Sequence, residues 1–282
     1  MRKNVIPSVY IWQRAKWPDF RWNSDALLEA LSRLNHAHGI LHGRMQMVGF
    51  SQQSRSLLSA MTEELISSSE IEGITLNPAS VRSSIARRLG IEDGVTLAED
   101  HYVDGLVDVM MDAVGNCREP LTAERLFAWH SALFPLGRSG MFRITVGDWR
   151  KGDEPMQVVS GAMGHEKVHY EAPASADVPA AMEALIDYCN RSDQSPFIMA
   201  AVVHLWFVSI HPFDDGNGRI SRTLADMLLA RLDDNAARYY SMSDEIHRNK
   251  KAYYDILERT QKGDLDITEW ILWFFDCLEN AI

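Results

Sequence analysis

At 282 residues, with 46% hydrophobic and 9% aromatic side chains, the chain has the material for one large cored domain or two small ones. A net charge of −11 excludes a global basic field for nucleic acid or anionic lipid, so any grip on phosphate has to be local. Three widely spaced cysteines, Cys117, Cys189 and Cys277, make neither a metal-type pair nor a disulfide framework and suit a reduced, cytoplasmic setting; no apolar run is long enough for a membrane span, and "MRKNVIPSVYIW" lacks the apolar core of a secretory signal.

In chain order, "VYIW" (9–12) reads as a short strand. "NSDALLEALSRLNHAHGILHGRMQMVGF" opens on a cap at Asn23 or Ser24 and carries Leu27, Leu28, Leu31 and Leu34 at helical spacing. A second helix, "SQQSRSLLSAMTEELISSSEIEG", stops at Gly73, and Asn77-Pro78 starts a third that runs to about Leu89. Helices follow near 97–114 and 122–134. "MQVVS" (156–160) and "KVHYE" (167–171) flank the turn "GAMGHE" and form one hairpin. Helical patterns resume at 177–190, 195–210, 218–232, 245–261 and 266–280. The expectation is a mostly α fold with one hairpin.

Within the hairpin, "HEKVH" (His165–His169) matches the zinc-protease pattern, whose chemistry needs both histidines on one helical face. Gly161, Gly164 and Pro173 flank it, and a one-turn helix between them would not be stable.

The stretch "HPFDDGNGRISR" (His211–Arg222) is the chemically dense one, and it follows the apolar helix "FIMAAVVHLWFVSI". It fits neither an EF-hand, nor a Walker A loop, nor a dinucleotide fingerprint. What remains is a helix, a glycine turn and a second helix starting near Gly218. A helix N-terminus offers free N–H groups and partial positive charge to an anion, and two glycines let the backbone approach it. Arg219 and Arg222 share a helix face just beyond, and guanidinium forks suit phosphate oxygens. Asp215 would be repelled by phosphate unless a cation such as Mg²⁺ lay between them, and His211 is placed to take a proton near neutral pH. These parts describe a polyphosphate site beside a general base. The structural alternative is a capped, salt-bridged turn; His130 and His204, on apolar helix faces, fit plain core roles.

"HPFDDGNGRISR" resembles, at every defined position, the HxFx[D/E]GNGRxxR signature of the Fic (Fic/Doc) family, with "GMFR" (140–143), the hairpin and "YY" (253–254) in the expected order over roughly 60–262. The resemblance implies a Fic fold, a helical bundle around the signature loop with one hairpin flap, preceded by a helical extension; it divides the chain into 1–59 and 60–282. It implies AMP transfer from ATP to a Ser, Thr or Tyr hydroxyl of a target protein. His211 would then be the base, Phe213 the loop anchor and Asp215 the Mg²⁺ ligand. Gly216, Asn217 and Gly218 would form the anion hole, with the Asn217 side chain on the α-phosphate; Arg219, Ile220, Ser221 and Arg222 would complete the phosphate-binding turn. Tyr254 and Gln261 are adenine-pocket candidates, though Tyr254 equally suits helix packing. Val158, Val159, Lys167, Val168 and His169 would clamp an extended target segment by strand pairing.

"SSSEIEG" (67–73) places Glu70 and Glu72 at a helix C-terminus, where the dipole disfavours acids unless a cation from elsewhere meets them. Ser68, Glu72 and Gly73 match the [S/T]xxxE[G/N] inhibitory motif of Fic proteins, which implies that Glu72 pairs with Arg222 and obstructs the γ-phosphate. Other donors, AMP removal and nucleotide sensing without turnover stay open, as do a homodimer and a C-terminal winged-helix domain beyond Ile282.

Overall fold

The computed structural model describes residues 10–91, 100–160, 167–232 and 238–282. Among them the helices are α1 (Ser24–Met47), α2 (Phe50–Ile71), α3 (Pro78–Leu89), α4 (His101–Gly115), α5 (Ala123–Leu133), α6 (Val178–Arg191), α7 (Pro196–Ile210), α8 (Asn217–Leu229), α9 (Met242–Arg248), α10 (Lys250–Gln261) and α11 (Thr268–Ala281). The cap residues explain several boundaries. Asn23 Oδ1 accepts from the N–H groups of Asp25 and Ala26, and Asn77 Oδ1 from those of Ala79 and Ser80 ahead of Pro78. No described helix is long and apolar enough to cross a membrane.

Three local expectations are corrected. The segment read as a strand at 9–12 is a 3-10 turn, Ile11–Gln13, because Ile11 is drawn into the core and the Gln13 side chain caps the Tyr10 N–H; Val9 lies outside the described residues. The single helix expected over 245–261 is two, α9 and α10, broken at Asn249, whose side chain bonds back to Glu245 instead of continuing the helix. The pair β1 (Arg138–Ser139) and β2 (Phe142–Arg143) forms a second small antiparallel ladder that the sequence pattern did not signal. Residues 97–99, expected to open a helix, and the 161–166 turn also lie outside the described residues.

The hairpin is β3 (Gln157–Ser160) and β4 (Lys167–Glu171), antiparallel, with Val158 opposite Tyr170 and Val159 opposite Val168. His169 is the extra residue of a bulge. Since 167–171 is strand, His169 cannot share a helical face with His165, and the zinc-protease reading falls; His165 and Glu166 themselves are outside the described residues.

The core is organised on α7. A helix apolar on every side has to be buried on every side, and each residue from Phe197 to Ile210 is. Helices α6, α8 and α11 pack around it, and the Trp270 indole of α11 donates to the Ala201 carbonyl at 2.7 Å. Helix α1 lies on α11, while α2 bridges α3, α9 and α8, so the extension is packed into the same core. Helices α4 and α5 cross so closely that a Cβ on Gly105 would collide with the Ala132 carbonyl oxygen. Gly105→Ala is therefore expected to destabilise the protein by about 2 kcal/mol through overpacking, measured by denaturant unfolding; a change within experimental error would contradict this crossing.

Candidate active site

The loop from His211 to Gly216 joins the C-terminus of α7 to the N-terminus of α8. Its turn is strained: His211 caps α7 in the left-handed region (φ 53°, ψ 58°), the sole described non-glycine residue with positive φ. Surrounding contacts hold it there. Phe213 is fully buried, with His130 stacked on it at 4.1 Å and Trp149 and Phe207 alongside. The Asn217 side chain bonds both sides of the Phe213 backbone, accepting from its N–H at 3.0 Å and donating to its carbonyl at 2.8 Å. Both amide atoms of Asn217 thus brace the loop. Gly216 has φ +83°, and a Cβ there would stand 2.9 Å from the Phe134 ring.

His211 is half-buried, and its Nδ1 lies 3.3 Å from the Val208 carbonyl. A carbonyl only accepts, so Nδ1 carries the proton and the Nε2 lone pair is left to receive one. Burial pushes the pKa down to about 4, the Val208 hydrogen bond opposing and Arg150 assisting, so the ring is neutral at pH 7. His130 is also pushed down to about 4 by burial. Its Nε2–H reaches the Asp215 carbonyl (3.2 Å) and its Nδ1 accepts from Gly147 N–H (3.4 Å). It is a core histidine, as expected, but one that supports the loop from below. His204, farther back on α7, is pushed to about 3 by burial and bonds to the Tyr253 hydroxyl at 2.9 Å.

Beyond the loop, α8 presents its two arginines to different partners. Arg219 donates to the Tyr102 hydroxyl at 2.9 Å and lies over the Phe134 ring. Arg222, 3% exposed, donates from Nε to Ser68 Oγ (2.9 Å) and from Nη2 to the Ser68 carbonyl (2.9 Å) and Glu72 Oε1 (2.7 Å). Burial alone would lower its pKa, but the facing Glu72 turns the net shift upward. Arg222 Nη1 and Arg219 Nε are buried donors with no hydrogen-bond partner among the described residues. Glu72 ends α2, with Gly73 turning the chain at φ +76°. A Cβ on Gly218 would run into the Glu72 carboxylate, so that carboxylate lies against the first turn of α8, where the dipole favours an anion. Glu70 meets His247 at 3.4 Å. Ile220 is buried, and Ser221 Oγ donates to the Gly218 carbonyl.

Asp215 is partly exposed, accepts from Ser139 Oγ and the Gly216 N–H, and lies 3.9 Å from Arg219. No cluster of three or more His, Cys, Asp or Glu side chains suited to a metal ion occurs among the described residues. A single carboxylate nonetheless fits Mg²⁺, which takes few protein ligands when substrate phosphates supply others.

On the other side, Val159 and Val168 are exposed on the hairpin, Lys167 is exposed and Val158 is partly covered. Both ring nitrogens of His169 are engaged: Nδ1 meets Glu258 at 2.6 Å and Nε2 meets Ser160 Oγ at 2.6 Å. Tyr254 is 40% exposed, whereas Gln261 is buried and bonded to Ser209 of α7 at 3.2 Å, turned into the core. Sequence reasoning missed Asp214, which accepts from Thr145 N–H at 2.7 Å, together with Ser139, Tyr102 and the buried Arg150. Asp214 lay inside the marked stretch "HPFDDGNGRISR" and Ser139 next to "GMFR".

This geometry agrees with comparison to known proteins. Residues 120–229 match the Fic/DOC family model, and this part of the chain is a Fic/DOC domain. Residues 10–91 match a domain of unknown function, DUF4172. A protein adenylyltransferase Fic from Culex quinquefasciatus is 30% identical over 236 residues, 81% of this chain and 42% of that protein. The Drosophila melanogaster protein of the same name is 27% identical over 92% of this chain and 46% of that protein. The chain thus spans less than half the length of these curated relatives. The crystal structure of a Fic family protein from Desulfovibrio desulfuricans G20 shares the fold with a TM-score of 0.69 at 20% identity, covering 93% of this chain and 74% of that one. Fic-1 (residues 134–508) from C. elegans gives 0.61 at 19% identity, covering 92% and 71%.

The three buried histidines allow a prediction. The unfolded chain takes up protons on them below about pH 6.5, but the folded chain does so only near 4, 4 and 3 for His130, His211 and His204. Their contribution to stability is intact above pH 6.5 and is lost as pH falls through the folded values. In an NMR titration of the ring signals, all three stay neutral down to about pH 5; a His211 midpoint near 6.5 would contradict the site geometry.

Proposed function

We propose that this chain is an autoinhibited protein adenylyltransferase that moves AMP from ATP to a Ser, Thr or Tyr hydroxyl of a target protein or of itself. The hydroxyl oxygen attacks the α-phosphorus, its proton passes to His211 Nε2, and the bond to the β-phosphate oxygen breaks to release pyrophosphate. The names of the relatives support the reaction class.

The observation that carries the proposal is the Glu72 carboxylate, bonded to Arg222 and set against Gly218 at the head of α8. It stands where the arginine and the helix terminus would otherwise receive a phosphate. The spare buried donors of Arg219 and Arg222 suit an anion with more oxygens than one carboxylate. Neutral His211 can accept a proton at pH 7, and phosphate charge nearby raises its affinity for one. Mg²⁺, held by Asp215 when bound, would neutralise phosphate charge at the leaving side.

The exposed hairpin suits an extended target segment added by strand pairing at Val158, Val159, Lys167 and Val168. Tyr254 is the better placed of the two adenine candidates, since Gln261 is turned inward. The division of 1–59 from 60–282 assigns the last turns of α2 to the catalytic unit, although that helix runs unbroken across the boundary. The three cysteines are buried and free, consistent with the cytoplasm.

Replacing the inhibitory carboxylate tests the proposal. With labelled ATP, Glu72→Gly should raise AMP incorporation by about tenfold or more, the scale of a typical coupling between competing ligands. His211→Ala in that background should lower it by about a hundredfold or more. Retained ATP-dependent thermal stabilisation with no incorporation in Glu72→Gly would overturn the transferase reading and favour nucleotide sensing.

A further inference from the structure

Between β2 and β3, Arg150 is buried at 4% exposure, and its hydrogen bonds run to backbone carbonyls. Nε donates to the His211 carbonyl at 2.8 Å; Nη2 donates to the Pro173 carbonyl and, at 3.5 Å, approaches that of Ile210. Its own N–H donates to the Pro212 carbonyl at 2.8 Å. The carbonyls of Ile210, His211 and Pro212 lie at the end of α7, where a helix leaves acceptors without intrahelical donors and favours a cation. The rigid fork of a guanidinium can serve several such acceptors at once, which a lysine ammonium does less well.

The other carbonyl that Arg150 holds belongs to the hairpin. Pro173 follows β4 by two residues, and Arg150 itself leads into β3. The same root is tied by Ala172 N–H to the Met156 carbonyl (2.9 Å), by the Tyr170 hydroxyl to the Ser209 carbonyl at the end of α7 (2.7 Å), and by the Trp12 indole to the Glu171 carbonyl (2.7 Å). The β4 root of the hairpin and the left-handed turn at His211 therefore meet at one guanidinium. Phosphate-side groups rest on other supports: Arg222 on Ser68, Arg219 on Tyr102, and the glycine turn on Asn217 and Phe213.

We propose that Arg150 is a positioning residue that fixes the His211 imidazole relative to the hairpin, so that a hydroxyl lying along the hairpin is presented to Nε2. The inference rests on the adenylyl-transfer reading above and deepens it by separating a hydroxyl-side brace from the phosphate-side ones. Losing the brace displaces acceptor and base relative to each other and leaves ATP binding in place.

The test uses the full chain carrying Glu72→Gly, to which Arg150→Met or Arg150→Lys is added. Self-labelling with labelled ATP gives the maximal rate per folded molecule and the KM for ATP. Arg150→Met should lower the maximal rate by about tenfold to a hundredfold, the effect of a misplacement near 1 Å, with KM for ATP unchanged within about twofold. Arg150→Lys should recover part of the rate. In parallel, an NMR titration of the His211 ring should show its pKa rising toward the ordinary value in Arg150→Met, because a buried cation beside it is gone and the turn is loosened; Glu72 (absent in this background) and Asp215 are the other charges that bear on it. An unmoved titration overturns the proposal, as does an unmoved rate in an active parent. Should Arg150→Met fail to fold, Arg150→Gln takes its place on the same two readouts. A parent that transfers no AMP defeats the adenylyl-transfer reading, while the ring titration still judges whether Arg150 positions His211.

Discussion

The ion pair between Arg222 and Glu72 is the contact on which the arrangement of this molecule turns. A guanidinium buried to 3% exposure cannot be left without anionic or carbonyl partners, since a buried charge without them is strongly disfavoured. The end of α2 supplies those partners through the Ser68 hydroxyl, the Ser68 carbonyl and the Glu72 carboxylate. The position looks unfavourable for Glu72 if only its own helix is considered, because an acid at a C-terminus faces the negative end of the dipole. That objection disappears once α8 is included: the carboxylate lies against the positive first turn of α8, beside Gly218. One acid therefore reads two helix termini and is held by the second.

The turn at His211 stands on a different kind of support. His211 adopts a left-handed backbone that a side chain pays for with about 1–2 kcal/mol, so neighbouring contacts must over-determine it. Behind it, α7 is rigid because it is buried on all sides. Ahead of it, Phe213 is clamped by His130 and closed off by the two hydrogen bonds of Asn217. These contacts also direct chemistry. With Nδ1–H committed to the Val208 carbonyl, the free lone pair is on Nε2, away from α7.

Much of this was legible in the residues. The helix pattern of α1 to α3, the apolar helix before the loop and the hairpin followed from periodicity, caps and glycine turns, because those are local signals. The pairing of Glu72 with Arg222 was accessible only through resemblance to a known motif, since nothing local relates residues 150 positions apart. Roles set by burial were harder to read. Gln261 looked like a ligand contact, but it bonds to Ser209 inside the core. Asn217 spends its amide on Phe213, and Asp214 and Asp215, adjacent and chemically identical, divide between an internal bond to Thr145 and a more open position. Arg150 carried no sequence signal, because its acceptors are backbone carbonyls and any residue type provides those.

The N-terminal region touches the site at both of its sides. The stretch that matches a domain of unknown function, 10–91, contains α2 with Ser68 and Glu72 against Arg222. It also contains Tyr10, whose ring meets Tyr170 edge-on at 5.1 Å, and Trp12, whose indole holds the Glu171 carbonyl at the hairpin root. Between these two contacts the extension is packed into the common core through Ile11, Leu27, Leu34 and Leu58. A segment packed in this way does not move as a free lid, because withdrawing it whole would expose the buried apolar surface it shares with α7 and α11. Any rearrangement at Glu72 is therefore cheaper at the end of α2, where Gly73 already turns the chain and the last residues are less covered, than by detaching the helix. The partly exposed Glu72 contact thus sits beside the buried Ser68 contacts that anchor the helix to Arg222.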